Sequence, residues 1–287
     1  MSEIVPALQW HRRVTDKLAT AIAVACVLLV MLPLAAIFVY LVFRGIGALN
    51  LAFFTQIPRP VGETGGGMAN AIVGSIVILL IGSLIGVPLG VGSGVYLSEY
   101  SRGQFGRLVR FTADVLNGVP SIVIGIAVYA LLVLRQKHFS ALSGGVALGI
   151  MMIPTITRST EEMLRLVPSS IREAALGLGI PQWRSTLSIT LRTAMSGIVT
   201  GVMLAFARVS GETAPLLFTA FGNQFWSTRL DQPIAALPLQ IFVYAISPFE
   251  EWHRLAWGGA LVLIVLIVLT SASVRWVASR GFVEGSH

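Results

Sequence analysis

Uncharged apolar stretches recur along this chain, separated by short polar and basic segments. Leu18–Phe43 is the first, and Met68–Ser98 holds the second, with its core at Ile72–Leu97. Val115–Leu134 lies between Asp114 and Arg135, and Phe139–Thr157 ends before Arg158. The fifth, Thr193–Phe218, is interrupted by Arg208 and Glu212; Leu255–Val274 is the sixth. A helix of about 20 apolar residues crosses roughly 30 Å of hydrocarbon while satisfying its own backbone hydrogen bonds. The pattern predicts an all-α polytopic membrane protein with a single transmembrane domain over 18–280. Its crossings fall at about 18–43, 70–98, 115–134, 139–157, 193–218 and 255–274.

Within the second crossing Gly82, Gly86, Gly90 and Gly94 recur every four residues. That spacing puts them on one helix face, where another backbone can approach closely. The strict register favours a packing face over the general enrichment of glycine in membrane helices. Pro88 beside them predicts a kink.

The basic residues set a direction. With the N-terminus inside, thirteen Lys and Arg fall in inner segments and six in outer ones, with Arg208 left inside a crossing. The excess places both termini, the N-terminal segment 1–17, the tail 281–287 and the loop 158–192 in the cytoplasm. Two outer loops are long. Arg44–Gly67 is rich in Gly and Pro and predicts irregular structure. Thr219–Arg254 carries Pro233, Pro238 and Pro248 among apolar residues, which fits a greasy interfacial loop, a short helix or a docking surface.

Composition narrows the classes. Hydrophobic residues make up 55% and charged residues 11% of the 287, against about 25% charge in soluble domains. Mean hydropathy is +0.82. A pI near 10.3 in a soluble chain would suggest nucleic acid; here orientation accounts for the basic excess, and no nucleic-acid partner is expected. A lone cysteine, Cys26, excludes a disulfide framework. His11, His138, His253 and His287 lie outside the apolar segments, so no metal site is expected. The first apolar run is too long for the core of a cleavable signal. No nucleophile motif or Cys/His cluster points to a membrane enzyme.

The most informative segment is the inner loop Thr157–Arg192. Pro168 ends one element. Ser170 and Glu173 match a capping box, which predicts a helix start. Ile171, Ala174, Ala175 and Leu178 are expected on one face. Gly179 suits a left-handed C-terminal position and Pro181 prevents continuation. A helix of about two turns does not stand alone in water. From the residues alone it is either a capped connector or a surface for a partner.

These residues carry a resemblance. Glu173-Ala174-Ala175, then Gly179, then Ile189 and Leu191 resembles the EAA loop of ABC-importer permeases. That pattern usually continues with proline; this chain has Arg192. The runs Leu116–Val123 (LNGVPSIV) and Ala207–Ala220 (ARVSGETAPLLFTA) resemble the phosphate-specific, Pst-type permeases, the second run the A-type subunit more than the C-type. The resemblance implies a type I permease bundle in the plasma membrane of a prokaryote. It implies one transport path shared with a second homologous permease, two copies of an ATP-binding subunit, and an extracytoplasmic phosphate-binding protein. Glu173, Ala174, Ala175 and Gly179 would belong to the helix that couples to the ATPase. ATP and its Mg would bind the partner, since neither Lys17 nor Lys137 stands in a Gly-Lys-Ser/Thr P-loop. Alternatives are a permease for another oxyanion, molybdate or sulfate, and a stand-alone channel or secondary transporter, for which a partner-facing inner helix would have no use.

Two charges lie within a crossing. A central charge costs about 2.5–3.5 kcal/mol on insertion scales and usually faces a bundle interior or a water-filled path. Arg208 and Glu212, at i and i+4, are expected on one helix face. Arginine suits phosphate because its planar fork gives two hydrogen bonds to two oxygens. One reading makes Arg208 a phosphate contact tuned by Glu212, with Ser210 and Thr213 as added hydroxyl donors; the other makes the pair a lock between helices. Asn117 and Ser121 form a second polar face or simply pack. Arg102, Arg107 and Arg110 with Phe105, Leu108 and Phe111 are expected on anionic headgroups. Glu161, Glu162 and Arg165 are expected as a solvated lead-in, and Asp114 as an inexpensive boundary carboxylate.

Overall fold

The computed structural model describes residues 4–60, 63, 65–101 and 103–283. Arg102, His287 and the end of the expected tail 281–287 therefore lie outside the described residues. The long apolar runs form helices that cross between two ends of a bundle.

α1 (Ile4–Ile46) and the short α2 (Leu51–Thr55) open the chain. Asn50 caps α2 by accepting the Phe53 amide through its side chain at 2.8 Å. α3 (Ala69–Val95) continues into a π-helical turn, Tyr96–Tyr100. α4 (Gln104–Gly118) precedes α5 (Ser121–Val128), a second π turn (Tyr129–Val133) and α6 (Leu134–Gln136). α7 (Ala141–Arg165) is the central helix. α8 (Ser169–Gly177) is short. α9 (Gln182–Ser185), a third π turn (Thr186–Thr190) and α10 (Leu191–Ser210) run as one span. α11 (Ala214–Thr219), α12 (Leu237–Ala245) and α13 (Glu250–Val283) complete the chain. Among the described residues, five helical spans are long and apolar enough to cross a membrane, and six if α4 with α5–α6 is one bent span.

The bounds expected from hydropathy shift where proline, glycine or pairing overrides it. The third crossing does not start at 115. Residues up to Gly118 belong to α4, which meets the next helix at a 105° bend. Pro120 has no amide hydrogen to donate, and Val119 before it is extended at φ −70°, ψ 130°, as a residue preceding proline favours. The fourth crossing continues through Arg158 to Arg165, and the fifth starts at Gln182. Arg192, standing where proline is usual, keeps its backbone amide and the helix passes through. The fifth crossing also stops early, at Ser210 rather than 218. Pro88 sits inside α3 without ending it.

The core is built by α3, α5, α7, α10 and α11, with Ile78, Leu148, Met152, Ile156, Ala205, Val209 and Leu216 buried together. α3 and α7 are the closest pair. A Cβ at Gly86 would stand 2.8 Å from that of Met152, one at Gly90 2.7 Å from that of Ile156, and one at Gly94 2.5 Å from that of Thr160. Gly82 faces Leu148 and the backbone of Gly149 in the same row. α7 returns the arrangement, with Gly145 against Ile81 and Gly149 against Ile85. Backbones in such contact gain dispersion along their whole length. Gly90→Ala is therefore expected to cost about 1–3 kcal/mol by overpacking. Gly92→Ala, on the open face of the same helix with nothing within 4 Å, is expected to cost nothing. Melting temperatures of the purified protein in detergent compare the two.

At one end, the loops after α1, before α7 and before α12 close together. Ser140, Ala141 and Leu142 donate their amides to the carbonyls of Thr219, Gln232 and Leu230, so the start of α7 is satisfied by a distant loop. The Thr219–Arg254 loop is packed only in part: Ile234, Leu237, Leu239 and Tyr244 are buried, whereas Phe221, Phe225, Trp226, Leu230 and Ile246 are exposed. Leu237–Ala245 forms the short helix α12, whose Leu237 and Tyr244 pack with Ala71 of α3 and with Leu255 and Ala256 of α13.

Candidate translocation and coupling site

Both sequence runs that carry the narrower resemblance lie at helix breaks. LNGVPSIV spans the bend between α4 and α5, and ARVSGETAPLLFTA the gap between α10 and α11. The helices after the breaks pack on each other: a Cβ at Gly125 would stand 2.7 Å from the Pro215 Cα. At the first break Asn117 accepts a hydrogen bond from the Thr155 hydroxyl of α7 at 3.2 Å, which ties the bend to the central helix.

Arg208 occupies the last turn of α10. Gly211 ends the helix, and Glu212 follows in the link with its amide donating to the Val209 carbonyl at 3.1 Å. The expected shared helix face is therefore not formed. Among the described residues, neither side chain has an ion-pair or hydrogen-bond partner, so no ion pair between them locks the helices. Arg208 is exposed on the surface of this chain and Glu212 half-buried. The two hydroxyls expected beside them are spent internally. Ser210 is buried and donates to the Phe206 carbonyl at 2.7 Å, and Thr213 donates to the Pro238 carbonyl at 3.4 Å. Below Arg208 the exposed positions Ser196, Thr200 and Leu204 repeat at four-residue steps. That stripe reads in the sequence as an i, i+4 series, but the apolar average of the segment masks it.

At the other end of the bundle lies the short helix of the inner loop. Its C-terminus closes as expected. Gly179 has φ +76°; its amide donates to the Leu176 carbonyl at 2.9 Å, and the Ile180 amide to that of Ala175 at 3.1 Å. This paired closure needs a left-handed residue, which favours glycine. The N-terminus differs from expectation. Pro168 is the N-cap and no side chain caps it. Ser170 is thus already inside the first turn and Glu173 is exposed, so the capping box does not form. The expected single face is also split. Ala175 is buried and Ile171 half-buried, whereas Glu173, Ala174 and Leu178 are exposed. Leu178 is 80% exposed and has exposed Leu166, Leu176, Trp183 and Leu187 on the same segment.

Charges expected in solvent are organised here. The Glu161 side chain is 1% exposed and accepts from Arg110 Nε and Arg165 Nη2 at 2.6 Å each, with Arg158 at 3.5 Å. Arg158 also grips Asp114 with two bonds of 2.8 and 2.9 Å. Glu161 is therefore a buried node joining α4 to α7, not a solvated lead-in, and Arg110 is turned to it rather than to headgroups. The reason is that α7 continues as helix, which puts Glu161 on the same buried face as Thr157 and Leu164. A buried carboxylate needs such partners. Phe105, Leu108 and Phe111 of α4 do face outward. Among the described residues no group of His, Cys, Asp and Glu is placed to hold a metal.

The architecture is one of helical spans around a central helix, with a short helix at one end. Solved structures share it: the inward-facing MetNI methionine ABC transporter matches with a TM-score of 0.58 over 77% of this chain and 98% of that one, at 16% identity. An amino acid ABC transporter with histidines matches at 0.51 over 76% and 92%. Residues 86–281 match the family described as "Binding-protein-dependent transport system inner membrane component". The phosphate transport system permease protein PstA of Yersinia pestis is 45% identical over 95% of this chain and 92% of its own length. PstA of Xylella fastidiosa is 47% identical over 98% of both, and PstA of Haemophilus influenzae 47% over 91% and 92%. The chain belongs to this family of PstA-type permeases of binding-protein-dependent import systems. It is a multi-pass inner-membrane component and not the ATPase; importers of this kind work with ATP-hydrolysing and solute-binding partners.

Proposed function

We propose that the chain forms half of the path by which an ATP-driven importer moves inorganic phosphate, with Arg208 meeting the anion and α8 seated on the ATP-binding subunit. The observation that carries the reading is Arg208 itself: a guanidinium within a membrane span, exposed on this chain and unpaired among the described residues. Facing lipid would be costly. Facing a second homologous permease across a hydrated seam gives it water and substrate. Phosphate and arginine match in charge and in two-point geometry. Glu212, close in sequence and half-buried, lowers the local positive potential so that phosphate is drawn in without being held.

At the cytoplasmic end, two copies of an ATP-binding subunit would serve the two permeases, one under each α8. ATP-driven closure of that pair pushes the coupling helices together and turns the path outward, where a phosphate-binding protein delivers its load. ATP and Mg stay in the partner. Uptake of labelled phosphate, challenged by excess sulfate or molybdate, tests the substrate. Phosphate uptake should persist under both competitors; competition by either at equal concentration would favour the other oxyanion.

Orientation has its own test. In a variant lacking Cys26, single cysteines at Arg59 and Arg229 should react with an impermeant thiol reagent added outside intact cells. One at Ser188, exposed on the inner segment, should react only after the cells are opened. Labelling of Ser188→Cys from outside would reverse the orientation.

A further inference from the structure

The coupling helix is held from within by one acid. Glu99 lies in the π turn Tyr96–Tyr100 at the inner end of α3, its side chain 6% exposed. Arg172 of α8 donates to Glu99 Oε1 at 2.8 Å. The same guanidinium donates to the carbonyls of Leu164 at 2.6 Å and Val167 at 3.1 Å, at the end of α7. From the other flank, Gln182 of α9 donates its amide to the Glu99 carbonyl at 2.9 Å. The Tyr100 hydroxyl reaches the Thr186 hydroxyl at 3.4 Å. Thus the segments before, within and after the coupling helix all meet the end of α3.

Two π turns, Tyr96–Tyr100 and Thr186–Thr190, are joined there through the Tyr100 and Thr186 hydroxyls. A π turn carries one extra residue in the helical ladder and is found where a helix must change its local register. Beyond the first, α3 packs on α7 by backbone contact along Gly82, Gly86, Gly90 and Gly94. Closely packed helices move as bodies and do not bend continuously. A shift of α8 therefore pulls on Arg172, and Arg172, fixed on three acceptors by its rigid fork, pulls on Glu99.

We infer that the Glu99–Arg172 pair is the joint that passes movement of the coupling helix to the second crossing, making both positioning residues for the ATP-driven step. They need touch neither phosphate nor nucleotide. The inference rests on the proposed seating of α8 on the ATP-binding subunit.

The test uses the whole complex in proteoliposomes, with ATP hydrolysis and phosphate uptake measured on the same preparation. Glu99→Gln keeps the shape and removes the charge. The complex should assemble at the normal level and hydrolyse ATP within about twofold of normal, while uptake per ATP falls about tenfold. In a background lacking Cys26, the paired variant Glu99→Cys with Arg172→Cys should show the same loss. A short thiol cross-linker that rejoins the two positions should restore uptake per ATP, which a merely structural role would not predict. If Glu99→Gln does not accumulate, Glu99→Asp, which keeps the charge with a shorter reach, is read by the same ratio.

Unchanged uptake per ATP in either single variant, or hydrolysis and uptake falling together, would overturn the inference. The underlying reading fails separately: Ala174→Cys would then give no cross-link to the ATP-binding subunit in an otherwise unaltered, active complex.

Discussion

Arg208→Lys should leave the complex assembled but lower phosphate uptake by about 10- to 100-fold. The charge remains, yet a point ammonium cannot reproduce the two-point grip of the guanidinium. The range follows from a charge-assisted hydrogen bond of about 1.5–3 kcal/mol converted to a rate ratio. Arg208→Gln should lose more, because it also leaves Glu212 with no nearby positive charge to offset it. Glu212 would then repel the anion. Initial uptake rates, normalised to the amount of complex in the membrane, measure both. Uptake by Arg208→Lys within twofold of normal would mean that the anion does not meet this side chain.

The second large effect is expected at the coupling helix. Glu173 and Ala174 are exposed on α8 beside Leu176 and Leu178, an apolar patch with an acid at its edge. Glu173→Lys should weaken assembly with the ATP-binding subunit or separate hydrolysis from transport, with uptake falling at least about tenfold, the scale of a lost interfacial charge contact. Gly179→Val should act differently. A branched residue at φ +76° is strained by roughly 1–2 kcal/mol, so the closure that sets the angle of α8 is lost although no contact residue changes. Ala174→Cys is the position for cross-linking; Ala175 is 3% exposed and beyond the reach of a reagent. Copurification of the ATP-binding subunit with each variant distinguishes lost assembly from lost coupling.

How far the chain could be read beforehand depended on what each signal reports. Crossings were legible because about 20 apolar residues in a row have few other uses. The glycine register pointed correctly to a close helix contact, since a four-residue period has only one geometric meaning on a helix. Gly179 was legible for the same kind of reason: a glycine before Ile180-Pro181 marks a helix end.

Hydropathy was blind to the breaks. Val119-Pro120 is flanked by apolar residues on both sides, and the average hides a bend of 105°. At Gly211 the apolar run continues into Leu216 and Leu217, so hydropathy carries the span to Phe218, eight residues past the helix end at Ser210, and makes Arg208 and Glu212 look like helical neighbours. Charge was misleading in the opposite sense. Glu161 was assigned to solvent because an acid usually is, but Arg110, Arg158 and Arg165 supply its counter-charge from two helices. Arg158 and Arg165 were visible at i−3 and i+4; Arg110 is fifty-one residues away, and no local pattern could bring it there. The capping box failed by two positions, because Pro168 is itself the N-cap, which moves Ser170 into the first turn.

The most direct test of a phosphate path through Arg208 is the double variant Arg208→Gln with Glu212→Gln. Removing both charges also removes any repulsion of the anion by Glu212, so the loss that remains belongs to the guanidinium. The complex should assemble and hydrolyse ATP, yet uptake of labelled phosphate should stay at the level of Arg208→Gln alone. Normal uptake by a well-assembled double variant would contradict the account, because phosphate would then cross without the guanidinium.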